Sequence, residues 1–271
     1  MTSNLNYIDE LLNKHYNETS DGLVDASPSR LTTGQGTEKN FYILKIDLAG
    51  STRMFQARHS STYLKFSHTY LSTLDKITQD YGADPAQTEY AGDSVLAYFP
   101  ENVPTENVLV AACLCRMAVI RIAKLPSVVG NLNPKCKAVL HYAPLIVAKI
   151  GPRASSFISA IGQPIHKVAY IEKEISVDIG RATIEFYKQL KQINRKFLSE
   201  QYTERLVEIP SFQLPVFNNY ISNTNRIADI LMSISAPVVT PPPQYRREKT
   251  IHGYNLNWGL LNRELGLAQF A

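Results

Sequence analysis

Two aspartates, Asp47 and Asp93, each sit at the edge of an apolar strand-like run, within FYILKIDLAGST at residues 41–52 and TEYAGDSVLAYF at residues 88–99. A carboxylate ending a buried strand must be paired, hydrogen-bonded or metal-bound, because an isolated ion there costs several kcal/mol or more. Asp47 and Asp93 therefore read as a metal-binding pair. The first run is followed at once by Gly50, Ser51 and Thr52 and then by a long helical pattern. Small residues let the backbone approach an anion, and helix-terminal N–H groups and hydroxyls can contact it. Two carboxylates beside a phosphate cradle can hold divalent cations on a nucleoside triphosphate and support metal-assisted displacement at phosphorus.

The elements that must position these groups are legible from periodicity. Residues 7–16 place Ile8, Leu11, Leu12 and His15 at helical spacing, and residues 17–40, rich in Ser, Thr, Gly and Asp, read as a loose connector. From Tyr63, apolar side chains at 66, 70, 74, 77 and 81 predict one amphipathic helix ending near Gly82. Residues 87–90 and 95–99 flank Gly92-Asp93 as a β-hairpin that presents Asp93 at its turn. Residues 105–123 predict a buried helix capped by Thr105, residues 135–141 and 144–150 two strands, and residues 162–173 a further helix. This order predicts an α+β sandwich, helices covering a mostly antiparallel sheet.

Beyond that core the pattern changes. Residues 178–196 read as a long charged helix, 210–223 as irregular, and 236–244, containing Pro241, Pro242 and Pro243, as a stiff polyproline-like connector. The tail from 250 to 271, with Trp258, Leu260, Leu261 and Leu265, is expected to dock onto a core or another subunit. The expected organisation is an N-terminal helix and linker over 1–39, a catalytic core over 40–175, and a helical insert, Pro-rich connector and tail over 176–271 that complete the same domain.

The chain has 271 residues, 44% of them apolar, ample for one sizeable core. No run approaches the roughly 18 to 20 apolar residues of a membrane span, and no basic segment precedes an apolar signal core, so a cytoplasmic protein without membrane association is expected. Cys113, Cys115 and Cys136 lie in apolar surroundings without zinc-type spacing and read as buried free thiols. A net charge of +4, dispersed and without interleaved aromatics, argues against a nucleic-acid partner.

IDLAGST at 46–52 and GDSVLAYF at 92–99 resemble the two metal motifs of the class III nucleotidyl cyclases, the adenylate and guanylate cyclase catalytic domains, over roughly residues 40–175. The resemblance implies the class III cyclase-like sandwich, active as a homodimer with sites at the interface. It also implies two Mn²⁺ or Mg²⁺ ions per site held by Asp47, Asp93 and the Leu48 carbonyl, with phosphates at Gly50, Ser51 and Thr52. In purine cyclases a residue three before the hairpin Gly helps to select the base, typically lysine for ATP and glutamate for GTP; here it is Glu89. A carboxylate only accepts hydrogen bonds, so it favours guanine, uracil or cytosine donors over adenine. The second selecting position aligns with Ser159. Lys45 stands where the family commonly lines the base pocket with an apolar or aromatic side chain, and by alternation it shares the face of Asp47. Its ammonium could donate to a uracil carbonyl, or could reach solvent at the strand edge.

The family's ribose-binding asparagine and transition-state arginine correspond to His166 and Tyr170. Loss of such an arginine removes a few kcal/mol of stabilisation, so the chain is either catalytically silent or reorganised for another nucleotide. Intact metal aspartates beside an altered purine pocket are similar to the pyrimidine cyclases of bacterial Pycsar anti-phage systems. That similarity implies conversion of UTP to 3′,5′-cyclic UMP and pyrophosphate in antiviral defence, acting on a separate cyclic-nucleotide-activated effector. Cytidylate cyclase, guanylate cyclase and an inactive nucleotide-binding module are the alternatives. His166 is a candidate for contact with ribose or phosphate.

Overall fold

The computed structural model describes residues 2–18, 23–51, 60–85, 87–122, 125, 134–208 and 247–267. Thr52, the irregular stretch 210–223 and the polyproline tract 236–244 lie outside them. The chain divides into a larger unit, Met1–Tyr202 with Gly253–Ala271, and a smaller one, Thr203–His252. In the smaller unit, residues 203–208 and 247–252 are strand.

An exposed helix α1 (Thr2–Glu18) precedes the long strand β1 (Gly36–Ala49). Helix α2 (Ser60–Asp80) leads to the hairpin β2 (Glu89–Ala91) and β3 (Ser94–Pro100), then to α3 (Thr105–Ile122), β4 (Lys135–Ile150), β5 (Phe157–Ile161) and α4 (Gln163–Glu174). The chain continues through β6 (Gly180–Thr183), α5 (Ile184–Gln189), β7 (Leu198–Glu208), β8 (Arg247–Leu256) and α6 (Trp258–Glu264). The sheet order is β2-β3-β1-β4-β6-β8-β7, with β5 paired to β4. β1 pairs antiparallel with β3 and β4, as do β2 with β3, β4 with β5 and β6 with β8, while β4 and β6 run parallel. The expected α+β sandwich with a mostly antiparallel sheet is the observed fold.

Alternation along β1 separates two faces. Tyr42, Leu44, Ile46 and Leu48 enter the main core, packed with Phe66, Tyr70 and Leu74 of α2 and Val108, Leu109, Ala112, Cys115 and Val119 of α3. Phe41, Ile43, Lys45 and Asp47 occupy the other face, over which α4 lies against β1 and β4. Helix α2 stops where the sequence suggests. Gly82 has φ +105°, Ala83 N–H donates to the Thr78 carbonyl and Gly82 N–H to that of Gln79, the paired bonds of a Schellman ending.

Several expectations are corrected. The two strands over 135–150 are one continuous β4, paired with β1 from Lys135 to Ala148. Pro144 is tolerated because it falls in the gap on the opposite edge of β4, between the ladder to β6 and the ladder to β5. Residues 178–196 do not form one charged helix: an open edge of β4 recruits Gly180–Thr183 as a buried strand, and Thr183 then caps the short α5 by accepting from Phe186 N–H. Thr105 does not cap α3; its hydroxyl bonds Tyr42 Oη at 3.2 Å and the Gln189 carbonyl at 3.4 Å. The tail docks as expected, but as strand β8 beside β6 followed by α6. The three cysteines are free and buried, and burial pushes the Cys113 thiol up to about 11 and that of Cys136 to about 12.

Candidate functional site

The β1–β3 register brings the two aspartates together. Ile46 pairs with Val95, so the strand end carrying Asp47 meets the turn carrying Asp93, and Gly92 supplies the positive φ of +65° that this two-residue turn needs. Asp93 Oδ2 is buried with no hydrogen-bond partner. Asp47 feels its surroundings strongly. Burial first, then the Glu172 and Asp93 carboxylates, raise its pKa to about 7, against the opposing pull of Lys45 and Lys137. Beneath the pair, Tyr70 of α2 is buried with its hydroxyl unpartnered, and its phenol is raised by burial, then by Cys136 and both aspartates.

This donor set fits a divalent cation. Two carboxylates repel across a short turn, one buried oxygen has no partner, and a hard cation prefers oxygen ligands that can satisfy it. Leu48, its side chain buried in the core, has only its backbone carbonyl to add. Among the described residues no cluster of three or more His, Cys, Asp or Glu side chains could hold a metal, so the protein offers two carboxylates rather than a closed cage. Gly50 has φ +74° with open space around its Cα, so the conformation, not crowding, calls for glycine there; Ser51 follows it, half-buried.

The base-selecting candidates Glu89 and Ser159 are joined. Ser159 Oγ donates to Glu89 Oε1 at 2.9 Å and Ala160 N–H donates to the same oxygen at 3.1 Å. Tyr98 lies close by, its phenol pushed well up by burial and then by the Glu89 carboxylate. Glu89 and Lys45 share one cross-strand row through Leu96 and therefore one sheet face, roughly 10 Å apart at two strand spacings. Lys45 does not simply reach solvent: its Nζ is 3.4 Å from Glu172 Oε2, in a part-buried ion pair. Lys137, directly opposite Asp47 on β4, reaches Glu172 Oε1 at 3.3 Å and the Glu172 carbonyl at 3.1 Å. His166 is exposed on α4 and has no described contact with Asp47 or Asp93.

Sequence reading missed Glu172, Lys137 and Tyr70. Tyr70 was visible only as a core position of α2. Lys137 carries a signal in hindsight, as a charged residue set between the apolar Cys136 and Ala138 of a largely buried strand, but its counter-ion lies on a helix whose docking no local pattern specifies.

No family model matches the chain, and no curated protein matches it in sequence. Solved structures do match in fold. The guanylyl cyclase Cya2 superposes with a TM-score of 0.58 at 11% identity, over 82% of this chain and 93% of that one. The adenylyl cyclase CyaB from P. aeruginosa gives 0.52 at 14% identity, over 66% of this chain and 91% of that one. A class III adenylyl cyclase-like ATP-binding protein from Pseudomonas aeruginosa gives 0.54 at 14% identity, over 64% of this chain but 39% of its own length. The protein thus has the fold of the class III nucleotidyl cyclase catalytic domains.

Proposed function

We propose that the protein is a nucleotidyl cyclase that converts UTP to 3′,5′-cyclic UMP and pyrophosphate. The observation that carries this reading is the β1–β3 register, which sets Asp93, with a buried unpartnered oxygen, against Asp47 at the mouth of a glycine turn. Asp47, Asp93 and the Leu48 carbonyl would hold Mn²⁺ or Mg²⁺, which would supply charge neutralisation at the phosphates and a lowered pKa at the ribose 3′-hydroxyl. Gly50 and Ser51, with Thr52 next in sequence, receive the departing pyrophosphate at the end of β1. Glu89, held rigidly by Ser159 and Ala160, presents an acceptor to a base edge bearing N–H groups, which disfavours adenine.

In this reading the enzyme works as a homodimer with sites between subunits, in the cytoplasm, and its product switches on a separate effector in bacterial antiviral defence. Among the described residues no helix is long and apolar enough to cross a membrane. Domain bounds of 1–39, 40–175 and 176–271 go with it. Two other readings rest on specific observations. The Glu89 acceptor equally suits guanine or cytosine, which supports a guanylate or cytidylate cyclase. His166 and Tyr170 in place of the family's Asn and Arg support a module that binds nucleotide without turnover.

Incubation of purified protein with Mn²⁺ and equal ATP, GTP, UTP and CTP, followed by mass spectrometry, separates these readings. Cyclic UMP is the expected product, cyclic GMP or cyclic CMP would reassign the base, and metal-dependent binding of a nonhydrolysable triphosphate without product would establish the inactive module.

A further inference from the structure

Glu172 joins two lysines beside the candidate site. Its carboxylate, on the last turn of α4, takes Lys45 on one oxygen and Lys137 on the other, and all three side chains are largely buried, at 16%, 17% and 9% exposure for Lys45, Lys137 and Glu172. Buried ammonium groups must be paired. Both lysines flank Asp47: Lys137 is its cross-strand partner, and Lys45 lies two residues earlier on the same strand face, roughly 7 Å along β1. Both also attract the Asp47 carboxylate electrostatically.

We propose that Glu172 is a positioning residue that holds Lys45 and Lys137 away from Asp47, keeping that carboxylate open to a divalent cation. The inference rests on reading Asp47 as a metal ligand. Without the Glu172 charge two buried ammonium groups remain on a face where Asp47 is the neighbouring carboxylate. The two lysines are not equivalent. Lys137 keeps a second anchor, the Glu172 carbonyl at the C-terminus of α4, where a cation is also favoured by the helix dipole. Lys45 has Glu172 Oε2 as its one described partner and a flexible four-carbon stem, so it is the residue released onto Asp47. A lysine paired with Asp47 competes directly with the metal for the same oxygens.

The test is direct Mn²⁺ binding by electron paramagnetic resonance of the full chain without nucleotide, so that the readout is independent of turnover. Wild type binds Mn²⁺ and Asp47→Asn does not. Glu172→Gln weakens binding about 10- to 100-fold, the range for a residue that supports a metal ligand from behind. Lys45→Met in the Glu172→Gln background restores most of the affinity, and Lys137→Met restores less. Lys45→Met alone, which leaves Glu172 and Lys137 paired, binds at least as tightly as wild type and serves where Glu172→Gln does not fold. Wild-type affinity in Glu172→Gln, a loss that Lys45→Met leaves unchanged, or weakened binding in Lys45→Met alone would each overturn the clamp while leaving Asp47 as a ligand. Equal Mn²⁺ binding, or none, in wild type and Asp47→Asn would overturn the metal reading itself.

Discussion

Replacing Asp93 with asparagine should stabilise the metal-free protein while abolishing its response to metal. Asp93 Oδ2 is buried without a partner, an arrangement that costs about 1–3 kcal/mol. Its charge also repels Asp47, whose carboxyl group burial, Glu172 and Asp93 together raise to about 7. Above pH 7 the Asp47 carboxyl is mostly ionised, so the amide removes the repulsion that Asp93 exerts on it and offers a donor where the carboxylate had none. A net gain of about 1 kcal/mol is a conservative figure, since solvent at the half-exposed turn screens part of the repulsion. In a chain of this size that gain corresponds to roughly 2–4 °C in Tm. The assay is calorimetric unfolding at pH 8 with a chelator and again with excess Mn²⁺. At a hundred times its Kd the ion adds about 2.7 kcal/mol to wild type, so the order of the two proteins reverses between the conditions. A variant that melts below wild type with chelator, or that gains as much from Mn²⁺, would refute the idea that Asp93 is held in a costly state for a cation.

Three further outcomes are expected. Glu89→Lys alters base choice in a four-nucleotide competition, because an ammonium donates where the carboxylate accepted; unchanged product ratios would exclude Glu89 as a reader. His141 is buried against Thr183 Oγ1 at 2.8 Å, and burial, then Lys167, lower its pKa to about 4 despite Glu185. The folded state therefore binds fewer protons than the unfolded one between about pH 4 and 6.5, so stability falls as pH drops through that window, by about 3 kcal/mol in full. His141→Gln should flatten this part of the denaturation profile, and an unaltered slope would show that other groups dominate. Gly82→Ala combines a φ of +105° with a methyl only 2.9 Å from Val103, and should cost about 1–2 kcal/mol in urea unfolding; a neutral result would mean that the α2 ending relaxes freely.

How much was legible depended on whether the signal was local. The α2 stripe from Phe66 to Tyr81 and the Gly92-Asp93 turn each state their geometry locally and were read correctly, whereas the strand carrying Asp47 was read only from Phe41: β1 begins at Gly36, inside the stretch read as connector, because its first residues pair with the far end of β4. Residues 178–196 were misread because their charges suggest a helix while an unfilled edge of β4, far away in sequence, dictates a strand. The pairing of Glu89 with Ser159 depends on β5 joining the sheet beside β4, which no local pattern announced; the family resemblance named both residues but not their bond. The lysine clamp on Glu172 was out of reach: Lys45 announced an inward charge, but its partner lies 127 positions later on a helix face.

The placement of β8 has a consequence for biosynthesis. Strand β6 is completed at Thr183, yet its antiparallel neighbour on the outer side, Gly253 to Asn255, is made only after all of residues 184–252. At ribosomal rates of about 5–20 residues per second the β6 edge waits roughly 3–14 s with unpaired amides and carbonyls. During that interval the nascent chain presents an open β-edge beside an already formed β1–β4 ladder, a surface suited to chaperone capture or to pairing with a neighbouring nascent chain. Messages truncated before the codons for β8 would yield a product that carries Asp47, Asp93 and the whole β1–β4 ladder but keeps that sticky edge permanently.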